Sequence, residues 1–146
     1  MKKLMLAAVL AACGLVASAT EYTITATTDE TPALTGNDKL ILKLPVATSS
    51  ANGSWHITGD HSDWSGTVDI LCGALFVEDA KSLGTAKIVC TNSFSGRENY
   101  ARIVVKNSMT LSNEFKLGDE YVLERTRLFS DAGSGGLVTL NGNISF

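Results

Sequence analysis

Residues that commonly carry catalysis are scarce in this sequence of 146 residues. Histidine occurs twice, at His56 and His61, and no Gly-x-Ser-x-Gly nucleophile motif is present. The glycine-rich segment 133–136 lacks the Lys-Ser/Thr pair of a phosphate-binding loop, and the Gly-Gly-x-Gly-x-Asp calcium repeat is absent. Ser134 lies in that segment, whose flexibility suits a loop and not a preorganised nucleophile. The sequence therefore predicts a protein that is not an enzyme and uses no cofactor or metal.

Long apolar runs are also missing, except for one at the N-terminus. Lys2 and Lys3 precede the apolar residues 4–12, and small residues follow at Ala17 and Ala19. This order is typical of a secretory signal peptide that is cleaved after Ala19. The run is too short to span a bilayer as a helix.

Cys13 offers an alternative route of export. Leu10-Ala11-Ala12-Cys13 resembles a lipoprotein signal, in which Cys13 is lipidated and becomes the new N-terminus. Both interpretations predict an exported protein, either secreted or held at the cell surface.

Removal of the predicted signal peptide, residues 1–19, makes the remaining chain more acidic. Two of the twelve basic residues are lost and none of the fifteen acidic ones, which leaves a formal charge of 10 − 15 = −5. An acidic surface keeps a secreted protein soluble and argues against nucleic acid as a partner. No second apolar run is long enough for a transmembrane helix. The partner itself, whether a surface, a carbohydrate or another protein, is not identified.

Short apolar segments divided by turn residues make up the rest of the chain. Runs rich in Val, Ile, Leu and Thr alternate with Gly, Asn, Ser and Asp, which predicts an all-β fold. The predicted strands are 22–26, 40–44, 67–72, 74–77, 86–90, 103–105, 121–123 and 137–140. The best helical segment, 78–82, is too short to be stable alone.

Three predicted tight turns recur at a regular spacing. They lie at Gly73, Asn107 and Asn141, each flanked by apolar residues. The two separations along the chain are equal (107 − 73 = 34 and 141 − 107 = 34). A fixed spacing of this size is typical of stacked repeats, in which a short strand completes its core against the next coil.

Residues 64–89 are similar to a known repeat. They contain Trp64-Ser65-Gly66 before a strand, Gly73-Ala74-Leu75 between two strands, and Leu83-Gly84-Thr85 before a third strand. These features resemble the autotransporter-associated β-strand repeat, and segments 109–113 and 133–142 resemble the rungs that follow it.

The resemblance covers residues 61–146 and has consequences for fold and function. It implies a right-handed parallel β-helix, a β-solenoid of a few coils, in a passenger-type region of a bacterial surface or secreted protein. Residues 20–60 match less well and are predicted to form an N-terminal β segment that caps the solenoid, because the open end of a solenoid needs a cover.

The densest polar cluster is Asp60-His61-Ser62-Asp63. His61 with two carboxylates has the chemistry of a divalent metal site, but Asp and Ser also favour turns for backbone reasons, and we favour the turn. Trp64 is predicted to pack over the end of a rung. The acidic pairs Glu78-Asp79 and Asp119-Glu120 are predicted to be solvated charges, because neighbours on a strand face opposite sides.

Cys72 and Cys90 are close in sequence (90 − 72 = 18), and each ends an apolar run. If one coil takes about as many residues as separate them, they stack on adjacent strands, roughly 4.8 Å apart. That distance permits a disulfide in an oxidising compartment. The alternative is two buried thiols in the interior, because free cysteine packs as a small hydrophobe.

Together these features favour a non-enzymatic secreted or cell-surface β-solenoid that acts as a scaffold or adhesin-like module. A second interpretation is a small outer-membrane β-barrel, for which two Trp, three Tyr and five Phe are too few to form two aromatic girdles. A third is a carbohydrate-binding β-sandwich or small lyase, which would need an exposed aromatic platform or convergent carboxylates.

Overall fold

The computed structural model describes residues 18–44, 53–90, 101–117, 126–130 and 137–145. Within these ranges the protein is mostly β, which confirms the all-β prediction, and one 3₁₀ helix spans Ala80–Leu83. The strands are β1 Glu21–Ile24, β2 Lys39–Lys43, β3 Ser54–Ile57, β4 Thr67–Val77, β5 Lys87–Cys90, β6 Ala101–Val105, β7 Met109–Leu111, β8 Phe115–Leu117, β9 Thr126–Ser130, β10 Val138–Leu140 and β11 Ile144–Ser145. Residues 1–17, with Cys13 and Ala17, and the predicted strand 121–123 lie outside the described residues.

Every strand pair in the described ranges is parallel. A first set of strands has the order β1-β2-β4-β5-β8-β11, a second set joins β3, β4, β6 and β9, and a third pairs β7 with β10. From β5 onward the chain visits the first, second and third sets in that order twice, and then returns to the first set at β11.

The long strand β4 belongs to two sets. Its first half, from Thr67 to Ile70, pairs with β5, and its second half, from Gly73 to Val77, pairs with β6. Gly73 lies at the junction with φ of 104°, and a Cβ there would be 2.8 Å from Leu44 Cδ1. The predicted tight turn at Gly73 is therefore wrong. The residue bends a continuous strand from one sheet into the next, in a conformation that only glycine adopts readily.

The core is built from rows of apolar side chains that lie opposite one another on successive strands. One row of the first set contains Tyr22, Leu40, Val68, Ile88, Phe115 and Ile144. The second set adds Trp55, Ile57, Leu75, Val77, Ile103 and Val105, all at most 1% exposed. Each fully buried side chain in these rows contributes about 1.5–3 kcal/mol by leaving water. Because side chains on a strand alternate in direction, every second residue joins this core.

The steps between paired residues vary along the chain. Glu21 pairs with Lys39 (39 − 21 = 18), Thr67 with Lys87 (87 − 67 = 20) and Met109 with Val138 (138 − 109 = 29). In none of the described strand pairings are the paired residues separated by the 34 residues (107 − 73 = 34) that the turn spacing predicted. That prediction is wrong because the loops between paired strands differ in length, so no single sequence period describes the stacking.

The described part of the N-terminal segment 20–60 adds strands to the same sheets. β1 and β3 are the terminal strands of the first and second sets. The chain after β1 runs beside β3, where Trp55 Nε1 donates to the Asp29 carbonyl oxygen (2.8 Å) and the Thr58 N–H donates to Thr31 Oγ1 (3.1 Å). Whether this segment acts as a cap stays a prediction.

Candidate functional site

The polar turn that the sequence singled out packs beside the 3₁₀ helix. The helix begins after Asp79, whose carboxylate accepts a hydrogen bond from the Lys81 N–H at 2.9 Å. The His61 N–H donates to the Lys81 carbonyl oxygen (3.0 Å), and Ser82 Oγ donates to the Gly59 carbonyl oxygen (3.0 Å). The helix overlaps the predicted segment 78–82 and extends one residue beyond it, to Leu83. Its contacts with the turn explain how so short a helix is stable.

Two shallow grooves meet at Lys81. One has a volume of about 420 Å³ and is lined by residues that include Asp60, Glu78 and Asp79. The other has a volume of about 280 Å³ and is lined mainly by hydroxyl and amide side chains, among them Ser62, Thr85, Thr110, Ser112 and Asn113. Lys81 lines both grooves. We call these two grooves together the Lys81 surface.

The contacts of Asp60 and His61 are those of a turn. Asp60 Oδ1 accepts hydrogen bonds from Ser62 Oγ and from the Ser62 N–H, and these two bonds lower the pKa of the Asp60 carboxyl. His61 Nε2 donates to the Thr58 carbonyl oxygen at 2.9 Å. Across the described ranges, no three His, Cys, Asp or Glu side chains are grouped as a metal site requires. These contacts support the interpretation of this cluster as a turn.

The acidic pair Glu78-Asp79 does not converge on one point. Asp79 caps the 3₁₀ helix, whereas Glu78 Oε1 lies 2.9 Å from His56 Nδ1. The two carboxylates thus have different partners, and both residues follow the end of β4 at Val77 instead of facing opposite sides of a strand. The pair Asp119-Glu120 and Ser134 lie outside the described residues.

A partly exposed aromatic cluster, which sequence analysis missed, lies on the outer face of the second set of strands. His56 and Phe76 are opposite one another in register, and their rings stack with centroids 4.7 Å apart and planes 16° from parallel. Lys106 Nζ lies 5.2 Å from the centroid of the Phe76 ring. Asn107 Nδ2 donates to the Glu78 carbonyl oxygen at 2.8 Å. With His56 and Lys106 both near its ring, Phe76 does not present the open platform that sugar stacking requires.

Buried polar groups join neighbouring stretches of chain near the start of β4. Trp64 is fully buried, and its Nε1 donates to the Asp38 carbonyl oxygen at 2.7 Å. The Asp38 carboxylate accepts hydrogen bonds from the backbone N–H groups of Thr20 and Thr35, which lower its pKa. Asn113 is also buried, and its Nδ2 donates to the Ala86 carbonyl oxygen at 2.9 Å. These contacts hold the strands in register.

Both cysteines in the described ranges are buried free thiols. Ile70, and not Cys72, lies opposite Cys90. Cys72 is two residues further along β4, so its Cα is about 8 Å from that of Cys90 for ideal strand geometry, beyond the usual disulfide range. The predicted stacking of the two cysteines is therefore off by two residues. Cys72 Sγ donates to the Leu44 carbonyl oxygen at 2.8 Å, and burial raises the pKa of the Cys90 thiol to about 12.

In the ranges that the structure describes, no helix has the length and apolar character needed to cross a membrane. Comparison of the chain with protein-family models, curated proteins and solved structures finds no match. The resemblance to the autotransporter-associated repeat therefore stays a prediction from residues 61–146.

Proposed function

We propose that this chain is a non-enzymatic β-solenoid, secreted or displayed at the cell surface, that binds a partner through its outer surface. The observation that carries the proposal is the repeated visit of the chain to three sets of parallel strands in the same order. A chain that winds in this way stacks each coil on the one before, with apolar rows inside and polar residues outside. The resemblance to passenger-type repeats and the predicted signal peptide support the proposed location.

Parallel pairing also separates this proposal from the alternatives. Outer-membrane strands of bacterial proteins and the strands of β-sandwiches pair antiparallel, whereas all nine described pairings here are parallel. A lyase would need convergent carboxylates, and Glu78 and Asp79 have separate partners.

The Lys81 surface is the part of the outer surface best suited to binding. It combines one ammonium group, several carboxylates and a row of hydroxyl groups along two connected shallow grooves. A small ligand usually occupies a concave apolar pocket, so this surface suits an extended polar polymer. We propose a neutral polysaccharide, whose hydroxyl groups can form hydrogen bonds with these side chains.

Engineered disulfides test the fold. Lys39 and Lys87 lie opposite Thr67 on its two sides, so the double variant Lys39→Cys with Thr67→Cys should form a disulfide on mild oxidation. The control, Lys39→Cys with Lys87→Cys, separates the cysteines by two strand spacings, roughly 9.6 Å. Bonding in the control, or none in the first pair, would contradict the stacking of coils.

A binding screen tests the function. The purified protein is assayed against immobilised polysaccharides, with Lys81→Ala compared with Lys116→Ala. Lys116 is exposed on the outer face of β8, so both variants lose one surface charge. We expect binding that weakens in Lys81→Ala alone. Release of reducing or unsaturated sugar ends from any bound polymer would overturn the non-enzymatic proposal.

A mass measurement tests the location. A mature protein that begins at Thr20 is expected in the exported fraction. A lipid-bearing Cys13 at the N-terminus would place the protein on a membrane surface instead, and an uncleaved product retained inside the cell would contradict export.

A further inference from the structure

Exposed polar residues occupy equivalent positions before four neighbouring strands of the first set, β2, β4, β5 and β8. Lys39, Thr67 and Lys87 lie opposite one another in register, and an exposed polar residue lies two positions before each of them. The pairing of Ile88 with Phe115 extends the same alignment to β8. We call these exposed residues the outer polar row: Asn37, Ser65, Thr85 and Ser112.

Backbone hydrogen bonds keep this alignment outside the strands. The Ser65 N–H donates to the Gly36 carbonyl oxygen at 2.7 Å, and the Thr85 N–H donates to the Trp64 carbonyl oxygen at 2.8 Å. In both cases the acceptor residue directly precedes the neighbouring member of the row. Adjacent members of the row are therefore about one strand spacing apart, roughly 4.8 Å.

Two hydroxyl groups of the row have the same orientation. Ser65 Oγ donates to the Gly36 carbonyl oxygen at 3.1 Å, and Thr85 Oγ1 makes a longer contact with the Trp64 carbonyl oxygen at 3.4 Å. A hydroxyl group has one donor and two acceptor lone pairs. With the donor directed at the backbone, each oxygen keeps the capacity to accept a hydrogen bond from a hydroxyl group of a ligand.

The row carries no charge, and the lysines beside it are paired. Lys39 Nζ lies 3.4 Å from Glu21 Oε2 and 3.9 Å from Asp69 Oδ2, and Lys87 is paired with Glu114. An acidic polymer would have to compete with these carboxylates for the lysines. The row therefore suits a neutral ligand that is rich in hydroxyl groups.

The outer polar row continues the Lys81 surface across the strands. Thr85 and Ser112 line its second groove together with Lys81. From Thr85 the row continues through Ser65 to Asn37, and Ser65 lies outside both grooves of the Lys81 surface. A polymer that follows the row crosses the strands at right angles and meets one member of the row at each strand spacing.

We propose that the outer polar row binds an extended neutral glycan of β-1,4-linked sugars, with about one sugar for each member of the row. This inference rests on the proposed polysaccharide-binding function and assigns the direction and the linkage of the polymer. A β-1,4-linked chain of hexoses is extended, and with each sugar it advances by a length close to the strand spacing of roughly 4.8 Å. An α-1,4-linked chain of the same sugars coils, so its successive sugars do not stay in line with the row.

Nuclear magnetic resonance titration of the purified protein with short glucose oligomers tests the proposal. We expect cellotetraose, which is β-1,4-linked, to bind about tenfold or more tightly than cellobiose, because it reaches more members of the row. Maltotetraose, its α-1,4-linked counterpart, should bind more weakly than cellotetraose. Ser65→Ala and Thr85→Val each remove one hydroxyl group and should raise the dissociation constant of cellotetraose about threefold to tenfold, the effect of one net hydrogen bond.

Two control variants separate the hydroxyl group from other effects of substitution. Thr85→Ser keeps the hydroxyl group and should bind cellotetraose as the parent protein does. Thr23→Val makes the same change as Thr85→Val at an exposed residue on β1, outside the row, and should also leave binding unchanged. Circular dichroism of each variant confirms that the strands are retained.

The other outcomes overturn the inference in distinguishable ways. If Ser65→Ala and Thr85→Val bind cellotetraose as the parent protein does, while Lys81→Ala weakens the binding of a polysaccharide, the row is not the site and the proposed function stands. Equal affinities for cellotetraose and maltotetraose, or for cellotetraose and cellobiose, contradict the alignment of the polymer with the row. A protein that binds no polysaccharide overturns both the inference and the proposed function.

Discussion

A single methyl group at Gly66 tests how closely neighbouring segments of the chain approach one another at the start of β4. Gly66 directly precedes β4, and a Cβ built on it would lie 1.8 Å from the Asp38 carbonyl oxygen. The obstacle is backbone, so no rotation of a side chain relieves the contact. That oxygen accepts hydrogen bonds from Trp64 Nε1 at 2.7 Å and from the Thr67 N–H at 3.2 Å. Gly66→Ala must therefore separate the two segments and disturb both hydrogen bonds.

The expected loss follows from those two bonds. Each contributes about 1 kcal/mol net, and the Trp64 Nε1 group, left buried without an acceptor, costs about 1–3 kcal/mol more. We therefore expect the free energy of unfolding to fall by about 3 kcal/mol or more. For a domain of this size, the melting temperature should fall by roughly 10 °C. Urea unfolding and thermal melts, both followed by circular dichroism, measure these quantities.

Gly36→Ala provides the matched control. Gly36 has φ of 49°, so alanine there is conformationally unfavourable by about 1–2 kcal/mol, but its Cβ would have no atom within 4 Å. Gly36→Ala therefore adds the same methyl group and strains the backbone, but the methyl group does not collide with another atom. If Gly66→Ala is no less stable than Gly36→Ala, the close approach of Gly66 to Asp38 does not limit the stacking, and the reasoning above is refuted.

Two further predictions concern thiols and pH. Burial raises the thiol pKa values of Cys72 and Cys90. Both thiols should therefore react slowly with a disulfide reagent at pH 8 in the native protein, and completely after unfolding. An unfolded, unreduced protein in which no free thiol is detected would contradict this prediction. The hydrogen bonds from Thr20 and Thr35 lower the pKa of Asp38, so their stabilisation is complete above about pH 4, the ordinary aspartate value. This stabilisation should be lost as the pH falls further, through the lowered pKa of Asp38 in the folded protein. Urea titrations at pH 7 and pH 3 should show a larger loss of stability in the parent protein than in Asp38→Asn, and equal losses would contradict it.

Several strands were predictable because their signal is local. The predicted strands at 40–44, 86–90 and 103–105 overlap β2, β5 and β6, since each is a short run of β-branched or large apolar residues beside turn residues. β3 and β8 were not predicted. Their sequences, Ser54–Ile57 and Phe115–Leu117, mix polar with apolar residues, and neighbouring strands supply the packing that makes them strands.

The candidate site was only partly predictable. The cluster at 60–63 and the segment at 78–82 were recognised from their composition, but nothing in the sequence indicated that they touch. The stacking of His56 on Phe76 depends on a pairing between distant positions (76 − 56 = 20), across a segment with its own turns. Lys81 carried no signal at all, because one lysine in a polar loop is ordinary until the grooves beside it are known.

The sequence by itself determined that the protein is mostly β and where several of its strands lie, because alternation and turn chemistry act between close neighbours along the chain. The resemblance to a known repeat predicted parallel strands, which the structure confirms, but only the tertiary structure decided that Gly73 bends a strand. It also decided that the step from one paired strand to the next varies along the chain (39 − 21 = 18 between β1 and β2, 138 − 109 = 29 between β7 and β10). The physical reason is that register is set by the fit of distant side chains and by close backbone contacts. For example, Gly66 meets Asp38 only once the chain has folded. The same is true of Ile70 and Cys90, which lie on neighbouring strands.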